Sequence, residues 1–213
     1  MRIKWWGHAA FLITDDNGIK IITDPYGEDF PYQSITDEAD IVTISHNHYD
    51  HNAEQAVAGN PEVIKDTGEF KVKGIKITGV ESNHDDAGGE KRGDNIIYRY
   101  DLDGIKVAHL GDLGHIPRDS QFEVLHDVNV LFVPVGGNYT INADEARKVC
   151  EQIEPEIIIP MHYKTPVLEF PIKGVEDFIA RFDDEEISRP GKAEVEVRNL
   201  PDKRQVIVLN YVK

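Results

Sequence analysis

A short polar segment, residues 45–52, concentrates side chains that can bind a metal ion. Four potential ligands lie within six consecutive positions, namely His46, His48, Asp50 and His51. They directly follow residues 41–44, a short apolar and β-branched run that predicts a buried strand. Imidazole and carboxylate groups suit Zn²⁺, Mn²⁺ or Fe²⁺. The segment therefore predicts a metal site in the loop after a strand.

The spacing of these residues indicates two ions. In an extended chain, residues two positions apart project to the same side, so His46 and His48 can chelate one ion together. A helix is predicted over residues 52–57, and the turn before it directs Asp50 and His51 toward a second ion. Packing alone does not explain such a group of side chains, because each buried polar group would need its own partner.

The segment reads H-x-H-x-D-H, and with this motif the chain resembles the metallo-β-lactamase superfamily of metal-dependent hydrolases. The resemblance runs through almost the whole length of the chain. Its motifs are residues 6–13, 22–25, 46–51, 84, 109–112, 137–140 and 160–163. Within the superfamily, these motifs look like those of a branch of bacterial and archaeal hydrolases similar to L-ascorbate-6-phosphate lactonase.

The resemblance implies a complete set of ligands for two metal ions. One ion would be held by His46, His48 and His84, the other by Asp50, His51 and His162, with Asp112 between them. Zinc is the predicted metal, with Mn²⁺, Ni²⁺ or Fe²⁺ as alternatives. Ions ~3.5–4 Å apart lower the pKa of the water between them to ~7, so a bridging hydroxide is the expected nucleophile. Asp50 and Asp112 are the predicted catalytic carboxylates.

Three further residues are expected to lie next to the metal ligands and hold them in place, because a metal-bound imidazole needs a hydrogen-bond partner on its other nitrogen. Asp24 is the strongest candidate for that partner, and the resemblance adds His8. His109 is also assigned here, with an ordinary buried core histidine as the alternative.

Cations near the motif-bearing loops are candidates for substrate binding. His115 and Lys164 are predicted to contact substrate, and Lys91 and Arg92 could also hold a phosphate or carboxylate group. For Lys91 and Lys164 the alternative is ordinary exposed surface charge. The loop at residues 136–140 could line the same pocket.

Composition narrows the classes of function. The chain of 213 residues fits a single domain, residues 1–213, and its 39 acidic and 23 basic residues give a net charge of −16. A polyanion needs clustered Lys and Arg, and no such cluster is visible, so a small-molecule substrate is expected rather than nucleic acid. No run approaches the ~20 apolar residues of a membrane span. A cytoplasmic enzyme is predicted, and homo-oligomerisation stays open.

The order of the predicted elements indicates a mixed α/β (α+β) fold. Strands come first, and strands alternate with helices later, which suggests sheets covered by helices. The resemblance sharpens this to an αββα sandwich with the metals at one end. Beyond residues 52–57, helices are predicted at residues 118–125, 143–152 and 175–182. The last two strands, residues 194–198 and 205–211, are predicted to form a hairpin through a turn at residues 199–202.

Three other functions remain open alongside a hydrolase of small esters, lactones or phosphoesters. A nuclease or phosphodiesterase would need a further nucleic-acid-binding domain. A redox di-iron protein would carry Glu at the second ligand position, where this chain has His48. A non-catalytic metal-binding protein disagrees with the apparently complete set of ligands.

Overall fold

A computed structural model describes residues 1–213, and two β-sheets form its centre. The strands are β1 (Arg2–Gly7), β2 (Ala10–Thr14), β3 (Lys20–Thr23), β4 (Glu38–Thr43), β5 (Ala58–Ile64), β6 (Gly68–Val72), β7 (Ile75–Asn83), β8 (Asp94–Leu102), β9 (Ile105–His109), β10 (Val130–Pro134), β11 (Ile157–Met161), β12 (Ile187–Ser188), β13 (Glu194–Glu196) and β14 (Gln205–Ile207).

Helices are few and short. The α-helices are α1 (Asp119–Leu125), α2 (Ala143–Ile153) and α3 (Glu176–Ile179), and 3₁₀ turns occur at Glu54–Ala56 and Asp184–Glu186. The Asn142 side chain caps α2 by accepting from the backbone N–H groups of Asp144 and Glu145. None of these helices has the length and apolar character that crossing a membrane requires.

The first sheet has the strand order β13-β1-β2-β3-β4-β5. Strands β1 to β3 form an antiparallel meander, and β3, β4 and β5 run parallel. A turn at residues 15–18 joins β2 to β3, and the Asp15 carboxylate accepts from the backbone N–H groups of Asn17 and Ile19. The parallel pairing brings the ends of β3 and β4 to the same edge of the sheet.

The second sheet has the strand order β12-β14-β11-β10-β9-β8-β7-β6. Its first half is antiparallel from β6 to β9, and its second half, from β9 onward, is parallel. Every residue of β10 and β11 is buried, as expected for parallel strands that are covered on both faces. The carboxyl ends of β9 and β11 therefore lie at one edge of this sheet.

The core lies between the two sheets. Alternate residues of β2 point in opposite directions, so Phe11 and Ile13 join the main apolar cluster while Leu12 faces the outer side of the sheet. Helix α2 buries its apolar stripe in the main cluster, including Cys150. The outer face of the first sheet is covered by aromatic side chains from loops, chiefly Tyr26, Phe30 and Tyr32. The predicted fold with two central sheets is confirmed, although helices are few.

Two of the predicted elements are wrong. The helix expected at residues 52–57 is only the 3₁₀ turn Glu54–Ala56, because Ala53 offers no side-chain cap and the chain enters β5 at Ala58. The final hairpin does not form, since β13 pairs with β1 in the first sheet and β14 pairs with β11 in the second. Each strand completes the edge of a different sheet, and the predicted turn at residues 199–202 lies in a crossing between them.

Candidate metal centre

The residues expected to bind metal follow strand ends that meet at one edge of the sandwich. His8 follows β1, Asp24 follows β3, residues 46–51 follow β4, His84 follows β7, Asp112 follows β9 and His162 follows β11. Loops at strand ends present side chains for chemistry while the sheets keep their positions fixed. The fold thus brings together residues that are far apart in the sequence.

The backbone at this edge is strained. His8, Asp24 and His162 adopt the left-handed region with φ of 53°, 39° and 51°. Residues other than glycine avoid this region, and such conformations persist only where the surrounding structure enforces them, often at functional sites. The strain therefore marks the same cluster that the motifs predict.

Asp112 occupies the centre of the cluster. Its Oδ2 atom lies 3.1 Å from Nε2 of His84 and 3.2 Å from Nε2 of His162. The Nε2 atoms of His51 and His46 are 3.4 and 3.9 Å away from the same oxygen. One carboxylate oxygen thus faces four imidazole nitrogens, and Asp112 is 2% exposed.

The histidines around Asp112 fall into two groups, each with ligand atoms within 4.8 Å of one another. His46, His48 and His84 form the first group, which is the triad expected for one ion. The second group contains His51 and His162, as expected, together with His8. A third group, which shares members with the first two, combines Asp24 with His46 and His51.

Asp50 and His8 form a pair beside the second group. The Nε2 atom of His8 lies 3.1 Å from Oδ2 of Asp50, and that oxygen is 3.8 Å from Nε2 of His51. Burial, followed by the nearby imidazole of His162, lowers the pKa of His8 to about 3, so its ring is neutral. Burial would raise the pKa of Asp50, but the hydrogen bond from His8 outweighs it and lowers the pKa. His8 therefore donates to an ionised Asp50.

Outer partners fix which nitrogen of each ring carries the proton. The Nδ1 atom of His84 lies 3.0 Å from the backbone carbonyl of Tyr139, and Nδ1 of His51 lies 3.0 Å from Oδ2 of Asp24. Both partners only accept, so both Nδ1 atoms donate. The Ser45 hydroxyl donates to Asp24 and accepts from Nδ1 of His46, at 2.6 and 2.9 Å. In a neutral ring, each Nε2 lone pair then points inward at Asp112.

The charges in the cluster are strongly coupled. Burial, followed by the charge of His51, lowers the pKa of His46 to about 3. Burial also opposes protonation of His51, but Asp112 and Asp24 outweigh it and hold the pKa of His51 well above its usual value. Burial would raise the pKa of Asp112, yet His162 and His51 hold it well below the usual range. Asp112 is therefore an ionised carboxylate inside the protein.

Several buried atoms of the cluster have no hydrogen-bond partner. They include Nε2 of His46, Nε2 of His51 and Oδ1 of Asp112. Buried polar atoms are normally paired, and a neutral His46 would leave a lone pair facing a carboxylate. Divalent cations among these atoms would satisfy them all, because imidazole and carboxylate are their common ligands. The donor set therefore fits a metal site.

Comparison with known proteins agrees with this geometry. Residues 2–162 match the family model of the β-lactamase superfamily domain. The chain belongs to the metallo-β-lactamase superfamily. A UPF0173 metal-dependent hydrolase from Methanocaldococcus jannaschii is 30% identical, with 78% of this chain and 87% of the relative covered. A UPF0173 protein from Pyrococcus furiosus is 35% identical, with 78% and 84% covered.

Solved structures agree with this assignment. A Thermotoga maritima protein, described as a Zn-dependent hydrolase of the metallo-β-lactamase superfamily, is 40% identical, with a TM-score of 0.83 and 98% and 97% of the two chains covered. A Parabacteroides distasonis structure with 21% identity and a TM-score of 0.70, covering 99% and 93%, shares the fold. The chain is thus a metal-dependent hydrolase of the UPF0173 family. The finer resemblance to ascorbate-6-phosphate lactonase stays a prediction.

A cavity of about 430 Å³ opens over the metal-binding cluster of this hydrolase. Its floor contains Asp50, His84, Asp112 and His162, and its walls include Tyr49, Tyr139, Phe170, Lys91 and Arg92. Tyr139 belongs to the loop expected to line the pocket, whereas Tyr49 and Phe170 were not anticipated. Their signal in the sequence is weak, because an aromatic side chain next to a ligand motif equally predicts packing.

Two expected substrate contacts lie outside this cavity. Both ring nitrogens of His115 bond to backbone, with Nε2 accepting from N–H of Asn83 and Nδ1 lying 2.8 Å from the carbonyl of Ile116. The ammonium of Lys164 donates to the carbonyl of Phe170 at 2.9 Å. His115 therefore holds the end of β7 through these backbone contacts. The side chains of His115 and Lys164 do not line the cavity.

His109 lies behind the cluster and holds the turn that carries Asp112. Burial lowers the pKa of His109, so its ring is neutral. Its Nε2 lies 2.8 Å from the Ala9 carbonyl, and its Nδ1 accepts from N–H of Gly111 at 3.2 Å. Gly111 has φ of 56°, and a Cβ atom there would overlap the side chains of Asn95 and Ser45. The turn therefore requires glycine and orients Asp112 from behind.

This arrangement predicts different outcomes for two histidine substitutions. His84→Ala is expected to release metal, because it removes a ring nitrogen from the first group. His109→Ala should retain the metals with ~10–100-fold weaker affinity or turnover, as is typical when an outer partner is lost. Metal content by elemental analysis and turnover are measured together. His126→Ala, at an exposed position, is the matched control. Equal metal loss in His84→Ala and His109→Ala would contradict these roles.

Proposed function

We propose that this hydrolase holds two divalent ions, zinc in the first instance, and cleaves a small ester, lactone or phosphoester. The observation that carries the proposal is the position of Asp112, whose Oδ2 lies 3.1 Å from His84 of one histidine group and 3.2 Å from His162 of the other. A carboxylate shared by two groups of ligands is suited to hold two ions a fixed distance apart. When bound, such a pair supplies a water whose pKa is lowered to ~7.

Other residues at the cavity would orient the attacking water and limit access of bulk water. Asp50 is ionised and lines the cavity, so it is placed to orient the attacking water by accepting a hydrogen bond from it. His8 donates its Nε2–H to Asp50 and keeps that carboxylate in one orientation. Tyr139 and Phe170 cover one side of the cavity and exclude bulk water there.

The cavity and the charge of the chain favour a small molecule over nucleic acid. A cavity of about 430 Å³ is in the usual range for small-molecule sites. A net charge of −16 repels a polyanion, which needs clustered cations to displace its counterions. An activity panel of lactones, phosphodiesters and thioesters, assayed with the metal-loaded protein, tests this proposal. Hydrolysis of none of these classes would count against it.

The number of ions is a separate prediction. Protein purified without chelators is expected to contain about two equivalents of divalent metal per chain, because Asp112 lies close to His84 of one imidazole group and to His162 of the other. Elemental analysis gives both the stoichiometry and the identity of the metal. Treatment with a chelator should remove the metal, abolish turnover and lower the melting temperature, since a ligand bound only to the folded state stabilises it. Metal-free protein with unchanged thermal stability after chelation would refute the site.

A further inference from the structure

One cation at the cavity mouth has no anionic partner in the protein. Arg92 is half-buried, and its guanidinium lies 5.7 Å from the ring centroid of Tyr139. The side chain forms no ion pair, although the chain has 39 acidic and 23 basic residues. Arginine is well suited to carboxylate and phosphate, which its planar fork binds through two hydrogen bonds.

The backbone around Arg92 is fixed by a single carboxylate. Asp85, which is 3% exposed, accepts four backbone hydrogen bonds, from Ala87, Gly89, Lys91 and Arg92, at 2.8–2.9 Å. These four hydrogen bonds therefore fix the turn that presents Arg92. The turn directly follows the ligand His84 in the chain.

The neighbouring cations are already neutralised or lie elsewhere. The ammonium of Lys91 is 2.8 Å from Oδ1 of Asp86, and that of Lys164 donates to the backbone carbonyl of Phe170. Arg92, by contrast, lines both the cavity over the metal cluster and an adjoining groove of about 570 Å³, and the two spaces also share His48. An anion on Arg92 would therefore extend from a site next to the metal ligands.

We propose that Arg92 binds an anionic group, a carboxylate or a phosphate, on the substrate of this hydrolase. This inference rests on the proposed hydrolytic function. The anion lies against the guanidinium above Tyr139, and the bond to be cleaved lies over His84 and Asp112 on the cavity floor. Arg92 then sets specificity and orients the substrate, whereas the residues of the floor carry out the chemistry.

A matched pair of esters tests the role of Arg92 in specificity. The 4-nitrophenyl esters of pentanoate and of hydrogen glutarate have equal chain length, and only the second carries a free carboxylate. In Arg92→Ala, kcat/KM for the glutarate ester is expected to fall at least ~10-fold more than for the pentanoate ester, because only one substrate loses a charge-assisted hydrogen bond. Lys203→Ala, which removes an exposed cation outside the cavity, should keep the wild-type ratio, and Arg92→Lys should restore part of the preference.

Direct binding separates failure of this inference from failure of the hydrolytic function. Titration calorimetry of the metal-loaded protein measures glutarate and methylphosphonate, and the two probes distinguish a carboxylate site from a phosphate site. The dissociation constant of at least one probe is expected to rise ~10-fold or more in Arg92→Ala and to stay unchanged in Lys203→Ala. If both probes bind Arg92→Ala as they bind wild type, or bind neither protein, the anion site is refuted even if esters are cleaved. If Arg92 governs binding but no ester, lactone or phosphoester is cleaved, the hydrolytic proposal fails instead. Arg92→Gln repeats the test if Arg92→Ala is unstable.

Discussion

Replacing His46 by alanine is expected to remove one metal ion per chain and to reduce turnover by far more than ~10–100-fold, the loss typical of an outer partner. The Nε2 atom of His46 is buried, has no hydrogen-bond partner and faces Asp112 at 3.9 Å. A bound cation would give that lone pair a partner. Elemental analysis and steady-state kinetics of His46→Ala check both parts of the prediction.

His162→Ala offers the complementary test on the second group of histidines. It should also lose one ion, because Nε2 of His162 lies 3.2 Å from the shared oxygen of Asp112. His126→Ala is the control, since that ring is exposed and does not line the cavity. Retention of two ions and near-normal turnover in both His46→Ala and His162→Ala would exclude the proposed ligand groups.

The local part of the site could be predicted from the sequence. His46 and His48 follow a strand at a spacing that predicts shared binding of one ion, and the structure groups them with His84. The motif resemblance identified Asp24, and its carboxylate contacts Nδ1 of His51 at 3.0 Å. Short sequence spacing fixes which side chains can meet at His46 and His48, whereas the contact of Asp24 with His51 joins residues 27 positions apart and depends on the motif resemblance.

Features that depend on the whole fold could not be predicted in the same way. His8 was expected behind the ligands, yet its ring lies 4.1 Å from that of His162, because two strand ends from different sheets meet there. The final strands have hairpin-like sequences, but the open edges of β1 and β11 provide better partners for them. Arg92 directly follows Lys91 in the sequence, and only the fold shows that Arg92 lies against Tyr139 while Lys91 pairs with Asp86.

Replacement of Asp112 by asparagine tests ligation and mechanism together. The side chain keeps its shape, and the backbone N–H of Asp112 still donates to Asn95 at 2.9 Å, so the turn should be preserved. The substitution removes a buried negative charge that faces four imidazoles, and the amide nitrogen cannot replace the lost carboxylate oxygen. Two cations would then repel each other more strongly, because the negative charge of the Asp112 carboxylate no longer offsets their repulsion. One ion is expected to dissociate.

The consequences of Asp112→Asn for catalysis follow from the expected loss of one metal ion, whose positive charge would otherwise act on the attacking water. A water near one ion has a higher pKa than a water near two, so the ascending limb of the pH–rate profile should shift to higher pH. Turnover should fall much more than the affinity for a competitive substrate analogue, because the lost stabilisation acts mainly in the transition state. Asp202→Asn, at an exposed position, controls for the change of net charge. If Asp112→Asn retained two ions, near-normal turnover and an unshifted pH profile, a carboxylate shared between two ions would not be the basis of this hydrolase's activity.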